Sequence, residues 1–191
     1  MSAAPLRVGM FGGAFDPPHL AHRALAEAAL AQLGLDRLYV VPTGDAWHKS
    51  RALTPAADRL AMAKLAFAAM PRVVVDDREL RRSGPTYSID TLRELQAGQP
   101  GALLHLLMGD DQAAGFTRWR DWEGVARMAV LCVAGRGRSE GAAALRALPG
   151  TRVATIAMPL RPESSTQIRA RLTAGQDIAD LVDPAVASYI D

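Results

Sequence analysis

Short apolar runs alternating with longer stretches of helical spacing constrain this chain more than any other feature. Arg7 to Phe11, Leu38 to Val41, Val73 to Val75, Leu103 to Met108, Ala129 to Val133 and Val153 to Ala157 are brief, mostly apolar and often β-branched. Strands of a parallel sheet covered on both faces have this character. Between them, residues 20–33 are rich in Ala and Leu and close at Gly34, a natural helix-ending position. Residues 55–70 repeat Leu60, Ala63, Phe67 and Met70 at helical spacing, and 88–96 and 142–148 follow the same logic. The alternation predicts an α/β fold, a parallel sheet with helices on both faces. From Ser164 onward the pattern holds no strand, and helices are expected at 166–174, 178–182 and 184–190. The expectation is a single domain over 1–191, with 164–191 as its short helical C-terminal part.

Composition narrows the function classes. The 191 residues are 49% hydrophobic and 22% charged, enough apolar surface for a real core. The 22 basic and 20 acidic residues give a net charge of +2, too balanced for a broad footprint on a duplex or a membrane surface. Only Lys49 and Lys64 are lysines; the remaining basic side chains are Arg, whose planar fork matches phosphate locally. Cys132 is the only cysteine, which excludes an intramolecular disulfide and a Cys-based zinc site. It is expected to be a buried small residue. Met1 to Pro5 has no charged leader pattern, and no apolar run approaches the roughly 20 residues that span a bilayer. These features point to a cytoplasmic protein with neither nucleic acid nor membrane as partner. Oligomeric state is not legible.

The most informative stretch is Phe11-Gly12-Gly13-Ala14-Phe15-Asp16-Pro17-Pro18-His19-Leu20-Ala21-His22. A strand runs into two glycines, which allow a tight turn and close approach of a ligand to main-chain N–H groups. Asp16, Pro17 and Pro18 then open a helix. His19 and His22 are three apart and share one face of its first turn, where free N–H groups and the positive dipole end also lie. That arrangement suits a polyphosphate. It is not a dinucleotide fingerprint, since G-x-G-x-x-G does not occur, nor a P-loop; Gly44 to Ser50 looks faintly like one, but His48 stands where a P-loop has the glycine before Lys49 and Ser50. A second element, Glu163-Ser164-Ser165-Thr166-Gln167-Ile168-Arg169, offers cap hydroxyls at a helix start and a guanidinium one turn later.

The first stretch resembles the nucleotidylyltransferase signature G-x-F-D-P-x-H-x-x-H, with Ala14 where many members have Thr or Ser and Ala21 where the broader class has Gly. The second resembles the I-S-S-T-x-I-R motif of that superfamily, with Glu163 in place of the leading Ile, a change of little consequence if the position only packs. Four further segments resemble the nicotinate-nucleotide adenylyltransferases: Trp47-His48-Lys49, Arg78-Glu79 with Thr86 to Leu92, Met108 to Asp111, and Phe116 to Trp122. The matches run in order from residue 12 to residue 172.

The resemblance implies a Rossmann-like nucleotidylyltransferase fold that moves AMP from ATP to nicotinate mononucleotide, giving deamido-NAD and pyrophosphate. It implies His19, His22 and Arg169 as the charge-stabilising catalytic groups. Gly12, Gly13, Ala14, Phe15, Gly109, Asp111, Ser165 and Thr166 would join them around ATP. His48, Lys49, Thr86, Tyr87, Ser88 and Trp119 would hold nicotinate mononucleotide. Mg²⁺ would ride mainly on the ATP phosphate oxygens, with few protein ligands. An attacking phosphate is already anionic, so no Ser or Cys nucleophile and no general base is required. The residues leave other acceptors open, nicotinamide mononucleotide or phosphopantetheine, as well as a non-catalytic nucleotide-binding regulator. They also leave Trp119 and Trp122 open as the core face of one helix, Asp111 as a helix cap, and His105 as a satisfied structural residue.

Overall fold

A computed structural model describes residues 4–44, 52–135, 139–159 and 161–191. The strands are β1 (Arg7–Gly13), β2 (Arg37–Pro42), β3 (Val73–Val75), β4 (Leu103–Gly109), β5 (Ala129–Gly135) and β6 (Val153–Ala157). All pair in parallel in one sheet of order β3-β2-β1-β4-β5-β6. The order reverses between β1 and β4. In open parallel sheets ligands bind at such a switch point, outside the carboxyl ends of the strands.

The helices are α1 (Leu20–Gln32), α2 (Ala56–Phe67), α3 (Ser88–Gly98), α4 (Asp110–Ala114), α5 (Trp122–Met128), α6 (Glu140–Arg146), α7 (Ser165–Thr173) and α8 (Pro184–Ile190), with a 3₁₀ turn at Phe116–Arg118. Strand alternation sends apolar side chains to both faces. On one face Phe11, Leu107, Cys132 and Ile156 meet buried side chains of α1, α2, α7 and α8. On the other, Val8, Met10, Leu104 and Leu106 meet α3, α5 and α6. Ile168, Ile178, Leu181 and Val186 pack in the same cluster as Leu25 and Phe67, so the C-terminal segment closes the first face.

The strands fall where the apolar runs predict them. Three differences have physical causes. The β4–β5 connection holds α4, the 3₁₀ turn and α5, none of which the sequence pattern announced. Residues 178–182 form turns rather than a helix; their apolar residues are buried by tertiary packing, with Leu20 N–H donating to the Leu181 carbonyl at 2.9 Å. In α2 the buried face is Arg59, Met62, Ala63, Ala66 and Phe67, with Leu60 only partly covered. Cys132 is buried as expected, and burial pushes its thiol up to about 12. His105 is buried, with Nδ1 3.1 Å from the Leu103 carbonyl, the structural role open to it.

Candidate active site

β1 continues in extended form through Gly12 and Gly13, so the turn does not fall at the glycine pair. It comes at Phe15, whose φ of 48° is left-handed. A Cβ on Gly13 would sit 3.1 Å from the Phe15 ring, so the glycine makes room for that ring to fold back. The ring packs edge-on against Phe11 (5.4 Å), Phe67 (6.1 Å) and His22 (5.0 Å). A left-handed phenylalanine is costly and is held by its surroundings.

His19 is the N-cap residue of α1, and His22 lies at the third helical position. Their rings stack with centroids 3.7 Å apart and planes 30° from parallel. The His19 main-chain N–H donates to His22 Nδ1 at 3.2 Å, so a neutral His22 carries its proton on Nε2. His19 Nδ1 is buried with no hydrogen-bond partner among the described residues. Burial lowers the His19 pKa from 6.5 to about 4, while Glu163 pulls it back upward.

The second helix start closes on the first. Ser164 caps α7 by accepting the Gln167 N–H at 3.2 Å. Ser165 Oγ donates to the Pro17 carbonyl at 2.9 Å, and Arg169 Nη1 donates to the Asp16 carbonyl at 2.7 Å. Arg169 Nη2 also meets Thr166 Oγ1 at 3.1 Å. A cleft of about 450 Å³ lies between the elements, lined by Gly12, Gly13, His19 and His22 on one side and by Gly109 and Ser165 on the other. It opens at the carboxyl ends of β1 and β4, at the switch point. Among the described residues no group of three His, Cys, Asp or Glu could hold a metal ion. Imidazoles, hydroxyls, guanidinium and main-chain N–H groups fit phosphate oxygens instead.

A second group of residues gathers at the start of α3. Tyr87 is the N-cap residue of α3, whose start has no side-chain cap. The Arg120 guanidinium lies over the Tyr87 ring, 4.6 Å from its centroid. Trp119 is half-buried and packs on Phe116, with ring centroids 5.5 Å apart. The Thr86 hydroxyl is buried beside the Glu79 carboxylate, whose pKa burial raises and Thr91 and Thr86 pull back down.

Comparison with known proteins agrees with this geometry. The family model described as cytidylyltransferase-like matches residues 10–171. A protein of Albidiferax ferrireducens named probable nicotinate-nucleotide adenylyltransferase is 54% identical over 187 residues, covering 96% of this chain and 94% of the relative. One of the same name from Methylibium petroleiphilum is 40% identical, covering 100% and 93%. The chain belongs to the nicotinate-nucleotide adenylyltransferase family. The Plasmodium falciparum nicotinic acid mononucleotide adenylyltransferase complexed with APC shares the fold, with a TM-score of 0.79 at 21% identity over 97% of this chain and 94% of that one. Its complex with NaAD gives 0.77.

The family motifs occupy distinct places. Gly12, Gly13, Ala14, Phe15, His19, His22, Gly109 and Ser165 all line the cleft. Arg169 donates both to Thr166 Oγ1 and to the Asp16 carbonyl, beside the cleft-lining Phe15 and Ser165. Asp111 lies in the first turn of α4 with its carboxylate exposed; the cap position is Gly109, so Asp111 is not a helix cap. Thr86, Tyr87 and Ser88 lead into α3, and Trp119 ends the 3₁₀ turn. Trp119 and Trp122 do not share a helix: one precedes α5 and the other begins it, and both pack on Phe116. His48 and Lys49 lie outside the described residues.

Glu163 is not a plain packing substitute for Ile. Its side chain is 8% exposed, one oxygen meets Arg161 at 3.3 Å, and the other is buried without a hydrogen-bond partner among the described residues. Arg161 itself lines the cleft. Sequence reasoning also missed Arg59, which is 2% exposed and donates to the carbonyls of Ala14, Thr43 and Thr54 at 3.0, 2.8 and 3.0 Å. It thereby ties the phosphate turn to the segments before and after residues 45–51. The signal was a charged residue on the apolar face of α2.

Proposed function

We propose that this protein transfers AMP from ATP to nicotinate mononucleotide in the cytoplasm, as one domain over 1–191, forming deamido-NAD and pyrophosphate. The observation that carries the reading is the meeting of two helix starts, at His19 and at Ser165, around one cleft at the sheet's switch point. The 54% identity to a relative of that name supports the acceptor.

The phosphate of nicotinate mononucleotide attacks the α-phosphorus of ATP in line. A new P–O bond forms as the bond from the α-phosphorus to the α–β bridging oxygen breaks, and the electron pair leaves with pyrophosphate. No proton has to move, so the protein contributes position and charge. Gly12 to Phe15 offer main-chain N–H groups to the phosphates. His19 and His22 stabilise charge on the transferring and leaving groups. Arg169 and Ser165 hold the Asp16–Pro17 segment that carries His19, and Arg169 with Thr166 adds positive charge behind the phosphates. Mg²⁺ brought with ATP would supply further charge neutralisation at the phosphates. On the acceptor side, Trp119 presents a flat face to the pyridine ring, and N–H groups at Tyr87 and Ser88 meet its carboxylate. Asp111 faces the ribose, while Thr86, His48 and Lys49 complete the acceptor site.

Pyrophosphate release from ATP–Mg²⁺ tests the reading, with nicotinate mononucleotide, nicotinamide mononucleotide and phosphopantetheine supplied separately. Fastest release with the first supports it. Fastest release with phosphopantetheine overturns the acceptor, and none with any acceptor favours a regulator.

A further inference from the structure

The family resemblance names no charged side chain that distinguishes an acid from an amide on the pyridine ring. The structure offers one. Arg120 follows Trp119 directly and reaches back over the Tyr87 ring at 4.6 Å. Tyr87 is the N-cap residue of α3 and its own side chain accepts no N–H of the helix, so the guanidinium stands beside that helix start. The neighbouring cations are already engaged: Arg93 with Asp121 at 2.8 Å, and Arg82 with Glu94 at 2.6 Å. Asp121, the acid next in sequence to Arg120, is thus taken. No acidic side chain among the described residues pairs with Arg120. The Thr86 hydroxyl, buried against the Glu79 carboxylate, lies at the same junction.

We propose that Arg120 is a specificity-determining residue that favours an anionic carboxylate over a neutral carboxamide on the acceptor's pyridine ring. The inference rests on the acceptor reading above. Stacking on Tyr87 limits the freedom of a long side chain, so less entropy is lost when its N–H groups meet a carboxylate. A carboxamide gains little from the same cation. The stack also joins the start of α3 to the segment bearing Trp119, so ring and carboxylate are read by neighbouring residues.

The test compares kcat/KM for nicotinate mononucleotide and nicotinamide mononucleotide in the wild type, Arg120→Met and Arg120→Lys. Met keeps apolar contact with Tyr87 and removes the charge. The expected result is a fall of roughly tenfold in the acid-to-amide ratio for Arg120→Met, carried by KM for the acid, with partial recovery in Arg120→Lys. Added salt should lower the wild-type ratio and leave that of Arg120→Met nearly unchanged, because the exposed cation is screened. An unchanged ratio, or equal losses with both acceptors, overturns the inference while leaving the adenylyl transfer intact. Wild-type protein inactive with both acceptors overturns the acceptor reading and the inference with it.

Discussion

Arg169 and Asp16, 153 positions apart, are joined by a 2.7 Å hydrogen bond from the guanidinium Nη1 to the main-chain carbonyl. The bond lands on the segment that delivers His19 to the cleft. A side chain near the end of the chain therefore fixes the geometry of an imidazole near its beginning, and Ser165 adds a second tie at Pro17.

Two adjacent serines should separate stability from catalysis. Ser164 caps α7, whereas Ser165 spends its hydroxyl on Pro17 and lines the cleft. Ser164→Ala should cost about 1 kcal/mol, lowering Tm by about 2–4 °C, with kcat little changed. Ser165→Ala should keep Tm nearer the wild type and lower kcat/KM for ATP roughly tenfold. Thermal melts and steady-state rates on both variants check the contrast.

Acid should weaken the fold through His19. Burial holds its pKa at about 4 against the usual 6.5. Between those values the unfolded chain binds a proton that the native state refuses, so stability is present above about 6.5 and is lost as pH falls toward 4. His19→Ala should flatten that part of the Tm-versus-pH curve. Glu163→Gln removes the opposing charge, so the His19 imidazole should titrate below its wild-type midpoint by NMR; a midpoint that stays put or rises contradicts the assignment.

The wall of the cleft formed by α4 depends on a close approach to α6. Gly141 N–H donates to Asp110 Oδ1 at 2.9 Å, and a Cβ at Gly141 would collide with the Asp110 carbonyl and sit 2.8 Å from the Ala113 Cβ. Two backbones cannot yield as a flexible side chain can. Gly141→Ala should destabilise the protein by about 1–3 kcal/mol, read as a lowered denaturation midpoint.

On the acceptor side, Trp119→Ala should raise KM for nicotinate mononucleotide roughly tenfold while altering KM for ATP far less, since the ring packs on Phe116 and does not line the phosphate cleft. Steady-state kinetics with each substrate varied in turn measures both constants. Equal rises in the two KM values would point to a packing role alone.

The sheet was legible because its strands are short, apolar and separated by helices long enough to show a period. What stayed hidden lacked such local signals. α5 is preceded by Asp121, a left-handed N-cap residue (φ 49°) whose carboxylate accepts from the Gly124 N–H, and neither α5 nor α4 is long enough to repeat. Residues 178–182 carried helical spacing, but Ile178, Leu181 and Val182 are buried by the rest of the fold without a helix. The turn after β1 was assigned to the glycines, where freedom is greatest, yet Phe15 takes the strained conformation because its ring is buried at 1% exposure. For the candidate site, the pairing of His19 with His22 followed from spacing alone. Arg59, Arg120 and Glu163 did not, because their roles depend on which loop each side chain reaches.

The central claim is that the two ends of the chain act on one string of phosphates. Pyrophosphate release under saturating ATP–Mg²⁺ and nicotinate mononucleotide, measured for His19→Ala, Arg169→Ala and the double variant, tests it most directly. Each single change should lower kcat by about a hundredfold or more, and the double variant should lose much less than the product of the two. A near-normal kcat in either single variant, or losses that multiply in full, would contradict it.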